Sequence, residues 1–173
     1  MADVEVRRAR PADLPGAMAM QEALHAEHQA LDPRFVVADD APARWSADMR
    51  AWLRSDSDRI LVADAGDAGL AGLAIAHLCW PAPIYRQRLM VWADDLYVVP
   101  AWRGRGVGRE LFGALAEWGR AAGATELRAG VLGANDRGRD FWRRAGADDF
   151  SVTVTVRLDA PDASTRARVP TRP

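Results

Sequence analysis

The chain has 173 residues, 49% of them hydrophobic and 27% charged, the composition of one ordinary globular domain rather than of a disordered or fibrous chain. Its 23 basic side chains, every one an arginine, are balanced by 24 acidic ones to a formal net charge of −1, which removes any global attraction for nucleic acid or an anionic membrane. A single cysteine, Cys79, excludes an internal disulfide; set in an apolar run, it reads as a buried core thiol in a reducing, cytoplasmic compartment.

Residues 1–10 alternate valine with charge and lack the apolar stretch of a secretory signal, so they predict a short opening strand. Arg10-Pro11-Ala12-Asp13 turns the chain into a helix over 12–30, rich in Ala, Met, Gln, Glu and Leu, and Asp32-Pro33 ends it. A second helix over 42–53 sets Trp45, Met49 and Trp52 at helical spacing, as core. Runs 59–65 and 70–78, parted by Gly66, Asp67 and Gly69, predict an antiparallel hairpin. The most apolar window, 70–80, is shorter than the roughly 20 residues a membrane span needs, so no membrane partner is expected.

Two prolines make 80–88 a loop, and strand character returns over 89–99 until Pro100 stops it. A helix over 107–122 lines up Val107, Leu111, Leu115 and Trp118 and ends at Gly123. A strand over 126–132 and a helix begun at Asn135 or Asp136 and closed by Gly146 follow, then an alternating strand over 150–158. Residues 159–173 show no periodicity and predict a loose tail, leaving one domain over 1–158.

Chemistry concentrates between Asp94 and Gly108. The segment Val99-Pro100-Ala101-Trp102-Arg103-Gly104-Arg105-Gly106-Val107-Gly108 reads as strand end, sharp turn and helix start. Alternate glycines let backbone N–H groups approach an anion, the new helix favours negative charge, and Arg103 and Arg105 add positive charge. The glycine spacing fits neither a dinucleotide fingerprint nor a nucleoside-triphosphate loop.

Arg103, Gly106 and Gly108 match the Arg/Gln-x-x-Gly-x-Gly/Ala signature of the GNAT superfamily of N-acetyltransferases, which the chain resembles. The strand Leu96-Tyr97-Val98-Val99-Pro100 before it, and Asn135 followed by Phe141-Trp142-Arg143-Arg144-Ala145-Gly146 after it, resemble the family at the usual spacing. The resemblance implies an α/β (α+β) fold with a mixed, mostly antiparallel sheet flanked by helices, its two central strands splayed to admit acetyl-CoA as co-substrate. It implies that Gly104, Arg105, Val107 and their matched neighbours hold the pyrophosphate, that backbone groups of Leu96 and Val98 hold the pantetheine, and that Asn135 touches the cofactor.

Asp94-Asp95 is similar to the acidic pair of the polyamine and diamine acetyltransferase branch, so one of the two is expected to help deprotonate an acceptor amine. Side chains alternate along a strand, so both face the acceptor only if a bulge intervenes. Trp142 stands where the family has its acid, a tyrosine; Tyr97, Tyr85 or water is left to serve, or the thiolate leaves unassisted. That departure also motivates an alternative, a module that senses acetyl-CoA without turnover. His25 and Phe35 border the acceptor cleft by resemblance, and no metal is expected because no Cys or His cluster accompanies the pair His25 and His28. The acceptor is a small-molecule or protein amine, nucleic acid is excluded as a partner by the charge balance, and a homodimer is expected because dimers are frequent in the family.

Overall fold

The computed structural model describes residues 4–156. Strand β1 (Glu5–Arg8) leads into helix α1 (Leu14–Leu31) and then α2 (Ala41–Trp52). Strands β2 (Asp58–Asp64), β3 (Leu70–Cys79) and β4 (Met90–Val98) follow, then α3 (Val107–Ala121), β5 (Glu126–Ala129) and α4 (Asp136–Arg144). The five strands form one sheet in chain order; β1 to β4 pair antiparallel, and β5 lies parallel to β4. This is the mixed, mostly antiparallel sheet expected.

Period-two alternation gives the sheet two apolar faces. Ile60, Val62, Leu73, Ile75 and Tyr97 pack under α1 and α2 with Leu14, Ala17, Met20, Leu24 and Met49. Leu61, Ala63, Ala74, Ala76, Val91 and Ala93 pack under α3, which inserts Val107, Leu111 and Leu115. Ion pairs from Arg7 to Asp13 (2.7 Å) and Asp64 (2.6 Å) fasten β1 to the turn before α1 and to the end of β2.

Two features of β4 place the site. Its pairing with β5 covers only Met90 to Ala93, so β4 runs on alone on that side. Its pairing with β3 slips between Ile75 and Ala76: Ile75 opposes Asp95 and Ala76 opposes Ala93, leaving Asp94 as the extra residue of a bulge. The bulge begins where β5 lets go.

Three expectations need correction. The strand expected over 126–132 stops at Ala129. Residues 150–156 have strand-like alternation but pair with nothing, and Phe150, Val152, Val154 and Val156 are 70–85% exposed; alternation supplies a face, but a strand also needs a neighbour's ladder. The remainder of that stretch and the tail over 159–173 lie outside the described residues. Cys79, at the end of β3, is half-buried rather than a core thiol, and burial pushes its thiol above the ordinary range.

Candidate active site

Above the β4 terminus the chain turns through Gly104 (φ 76°) and Gly106 (φ 95°) into α3. Gly106 caps the helix in the left-handed region, which costs a residue with a Cβ about 1–2 kcal/mol. Its carbonyl takes the amides of Arg109 and Glu110, and among the described residues the amides of Arg105, Gly106, Val107 and Gly108 meet no protein acceptor. Four free amides at the positive end of a 15-residue helix fit a phosphate. Gly108 has another role: a Cβ there would lie 3.2 Å from Phe141 and 3.6 Å from Val98, so its absence lets α4 pack onto α3.

Arg103 is engaged within the protein. Its Nε donates to the Val98 carbonyl at 2.8 Å, one terminal nitrogen donates to Glu27 of α1 at 2.5 Å, and the guanidinium lies 5.3 Å from the Tyr97 ring centre. The other Glu27 oxygen takes Arg137 of α4 at 2.9 Å. Burial opposes ionisation of Glu27, but the two arginines outweigh it and hold the carboxyl below its ordinary range. Arg105 lies over Trp102 instead, 5.3 Å from its ring centre.

The open side of β4 carries backbone groups as well. The Val99 amide bonds Ala71 of β3, so alternation turns the N–H and C=O of Leu96 and Val98 away from β3, toward the gap left by β5. Asn135 caps α4, its Oδ1 accepting the Gly138 amide at 2.9 Å, which leaves its NH₂ as the available end.

The bulge turns both aspartates to the α1–α2 side. Asp95 is buried and accepts from Gln21 of α1 at 2.9 Å; Asp94 is 37% exposed and meets His77 Nε2 of β3 at 2.9 Å. Burial pushes the Asp95 carboxyl above the usual carboxylate range, against the pull of His25 and the Gln21 bond. His77 bonds Asp58 of β2 through Nδ1, and its ring meets Trp52 of α2 edge-on at 4.9 Å. Despite partial burial, its two carboxylate partners, Asp94 foremost, raise it to about 9.

The remaining expected residues spread outward. Tyr97 is buried beneath α1, its hydroxyl donating to Glu27 at 3.4 Å, and burial and Glu27 push it above the ordinary phenol range. A phenol so held is a poor acid, and Tyr85 is 63% exposed in the loop before β4. His25 stacks on Trp45 at 4.8 Å, and His28 meets Phe35 at 6.1 Å. Trp142 packs on the α3 side, edge-on to Phe112 at 5.7 Å. Among the described residues no group of three or more His, Cys, Asp or Glu could hold a metal ion.

His77 and Gln21 were missed. In the sequence His77 is a lone polar residue in the apolar run 70–78, yet the hairpin register sets it directly opposite Asp58, a pair readable once that register is drawn. Gln21 leaves no local sign, since its partner is 74 residues away.

A sheet parted beyond Ala93, an amide cradle above it and a carboxylate pair beside it make up the candidate site. The chain belongs to the acetyltransferase (GNAT) family, whose model matches residues 19–147, and it is an N-acetyltransferase. It is 24% identical over 153 residues to thialysine N-epsilon-acetyltransferase of Sus scrofa, covering 87% of this chain and 88% of that one. Among solved structures, a tetramutant of the BH1408 protein of Bacillus halodurans is 22% identical with a TM-score of 0.79, covering 89% of this chain and 99% of that one. Aminoglycoside N-acetyltransferase AAC(6')-Iy, solved in complex with CoA, is 20% identical with a TM-score of 0.71, covering 92% and 97%.

Proposed function

We propose that the protein transfers an acetyl group from acetyl-CoA to the primary amine of a small, cationic molecule, with Asp94 receiving the acceptor. The coincidence of bulge and splay carries the reading: Asp94 is the first β4 residue past the last pair with β5, so its carboxylate borders the gap that a donor would fill. The relatives support a small-molecule amine, one being named for thialysine and another for aminoglycosides.

Acetyl-CoA supplies the activated acetyl thioester. The free amides at Arg105 to Gly108 hold its pyrophosphate, Arg105 adds charge beside them, and the Asn135 NH₂ donates to its arm. Backbone groups of Leu96 and Val98 line the gap, where one aimed amide stabilises developing oxygen charge by about 3 kcal/mol. The acceptor arrives as an ammonium without a free lone pair. Asp94 binds it and takes its proton, directly or through a water; the freed amine attacks the thioester carbonyl, the carbon–sulfur bond breaks, and CoA leaves as a thiolate that takes a proton from solvent. Asp95 is buried and tied to Gln21, so it sets the shape and charge behind Asp94. His25 and Phe35, with Trp45, form the outer wall of the acceptor cleft.

No helix among the described residues is long and apolar enough to cross a membrane, and the reading places the enzyme in the cytoplasm. It acts as a homodimer, favoured by the exposed row Phe150, Val152 and Val154 and by the position of β5 at the sheet edge. Mixing acetyl-CoA with polyamines, aminoglycosides, lysine-like amino acids and peptide N-termini, and following thiol release, tests the reading. Turnover is expected with the small polyamines or amino acids; release above hydrolysis with peptides alone would contradict it.

A further inference from the structure

Asp94, the residue on which the proposed reaction turns, has only one protein partner for its carboxylate among the described residues. His77 Nε2 meets Oδ2 at 2.9 Å, and Oδ1 is left unpaired. The opposite ring nitrogen, Nδ1, is bonded to Asp58, across the β2–β3 pair where the two residues stand directly opposite. Three side chains from three adjacent strands thus make a line, Asp58 to His77 to Asp94, ending at the bulge. The ring is steadied from above by Trp52, edge-on at 4.9 Å.

We propose that His77 is a positioning residue for acetyl transfer: anchored by Asp58, it grips one oxygen of Asp94 and so presents the other to the acceptor amine. The proposal rests on Asp94 receiving the acceptor. A bulge residue lacks the ladder neighbours that fix an ordinary strand side chain, so an outside contact has to set its direction. An imidazole with a carboxylate beside each ring nitrogen is favoured in the doubly protonated form, since the neutral ring has only one N–H to offer the two. The charged groups facing it are Asp58 from β2 and Asp94 from β4, while α2 contributes the uncharged Trp52. These partners keep it protonated up to about pH 9. Above that, one N–H has two claimants and the grip on Asp94 slackens.

Asp58 is the informative position, because it lies on β2, one strand beyond His77, and bonds His77 rather than Asp94. In Asp58→Asn the imidazolium loses one of its two carboxylates. Acceptor kcat/KM should fall about three- to tenfold at neutral pH, and the alkaline fall of the pH profile should move toward neutrality by about one unit, with acetyl-CoA affinity unchanged. His77→Phe keeps a ring against Trp52 but has no donor; it should lose at least tenfold in acceptor kcat/KM and the histidine-dependent limb with it. His77→Gln, which can still donate once, should recover part of the loss.

Asp94→Asn separates this inference from the reading beneath it. If that variant keeps the wild-type rate, Asp94 does not receive the acceptor and both fall. If Asp94→Asn is impaired while a folded Asp58→Asn keeps the wild-type rate and pH profile, the positioning role alone is overturned. Loss of thermal stability in Asp58→Asn or His77→Phe without any change in the profile would likewise make the line structural only.

Discussion

Glu27 of α1 and Arg103 of the cradle meet at 2.5 Å, and the second oxygen of Glu27 reaches Arg137 of α4 at 2.9 Å. One carboxylate is therefore shared by two cations and offsets half of their positive charge. Replacing Glu27 with Gln keeps the side-chain shape and releases that positive charge. CoA affinity should rise about two- to fivefold at low ionic strength, and the gain should vanish in high salt. An isothermal titration at two salt concentrations checks this; a fall in affinity would mean that Glu27 holds Arg103 in its binding pose.

Gly106 and Gly108 should respond differently although both belong to the signature. Space around Gly106 is open, but its φ of 95° is strained for any side chain, so Gly106→Ala distorts the amides and should weaken CoA binding about tenfold with little loss of fold. At Gly108 the obstacle is Phe141, and Gly108→Trp should displace α4 and lower thermal stability together with binding. Loss of binding in Gly108→Trp alone would not identify a phosphate site. Gly106→Ala would, provided that the melting curve stays within a few degrees of wild type.

Asp95 should cost the folded state stability at neutral pH. Burial raises its carboxyl above the unfolded value, so the native state binds the proton more tightly; its stabilising contribution is full below the unfolded carboxylate range and is lost as pH rises through the raised folded value. Asp95→Asn keeps an acceptor for Gln21 without the buried charge. Its melting temperature should match wild type near pH 3 and exceed it increasingly toward pH 7. Equal curves at every pH would show that the Asp95 carboxyl titrates alike in the folded and unfolded chain, and so is not raised by burial.

Trp142 sits against Phe112 and Phe141, with ring centres 5.7 and 5.2 Å away, on the α3 side of the molecule. A Trp142→Tyr change opens a gap there while offering a phenol, so the rate should move by less than about tenfold and stability should drop by about 1–2 kcal/mol. A gain of a hundredfold or more in kcat would show that the native enzyme lacks an acid it could use.

Local features were legible in the sequence: the glycine-rich turn, the proline that ends β4 and the helical spacing of Val107, Leu111 and Leu115 each depend on neighbouring residues. The site's geometry depends on register. Whether Asp94 and Asp95 share a face turns on one slip of register between Ile75 and Ala76 of the facing strand, and nothing within 89–99 announces it. The same limit misled at the other end, where Phe150 to Val156 alternate faultlessly without a strand beside them. Glu27 carries no local sign of its role, because its arginine partners lie 76 and 110 residues further along.

The central claim is that Asp94 receives and deprotonates the acceptor amine beside the parted strands. It is tested most directly by acceptor kcat/KM in Asp94→Asn relative to wild type, with acetyl-CoA affinity measured on the same samples. The account predicts a loss of about a hundredfold or more, greatest near neutral pH where the amine is protonated, with acetyl-CoA affinity within twofold of wild type. A folded Asp94→Asn enzyme with the wild-type rate and pH profile would contradict it.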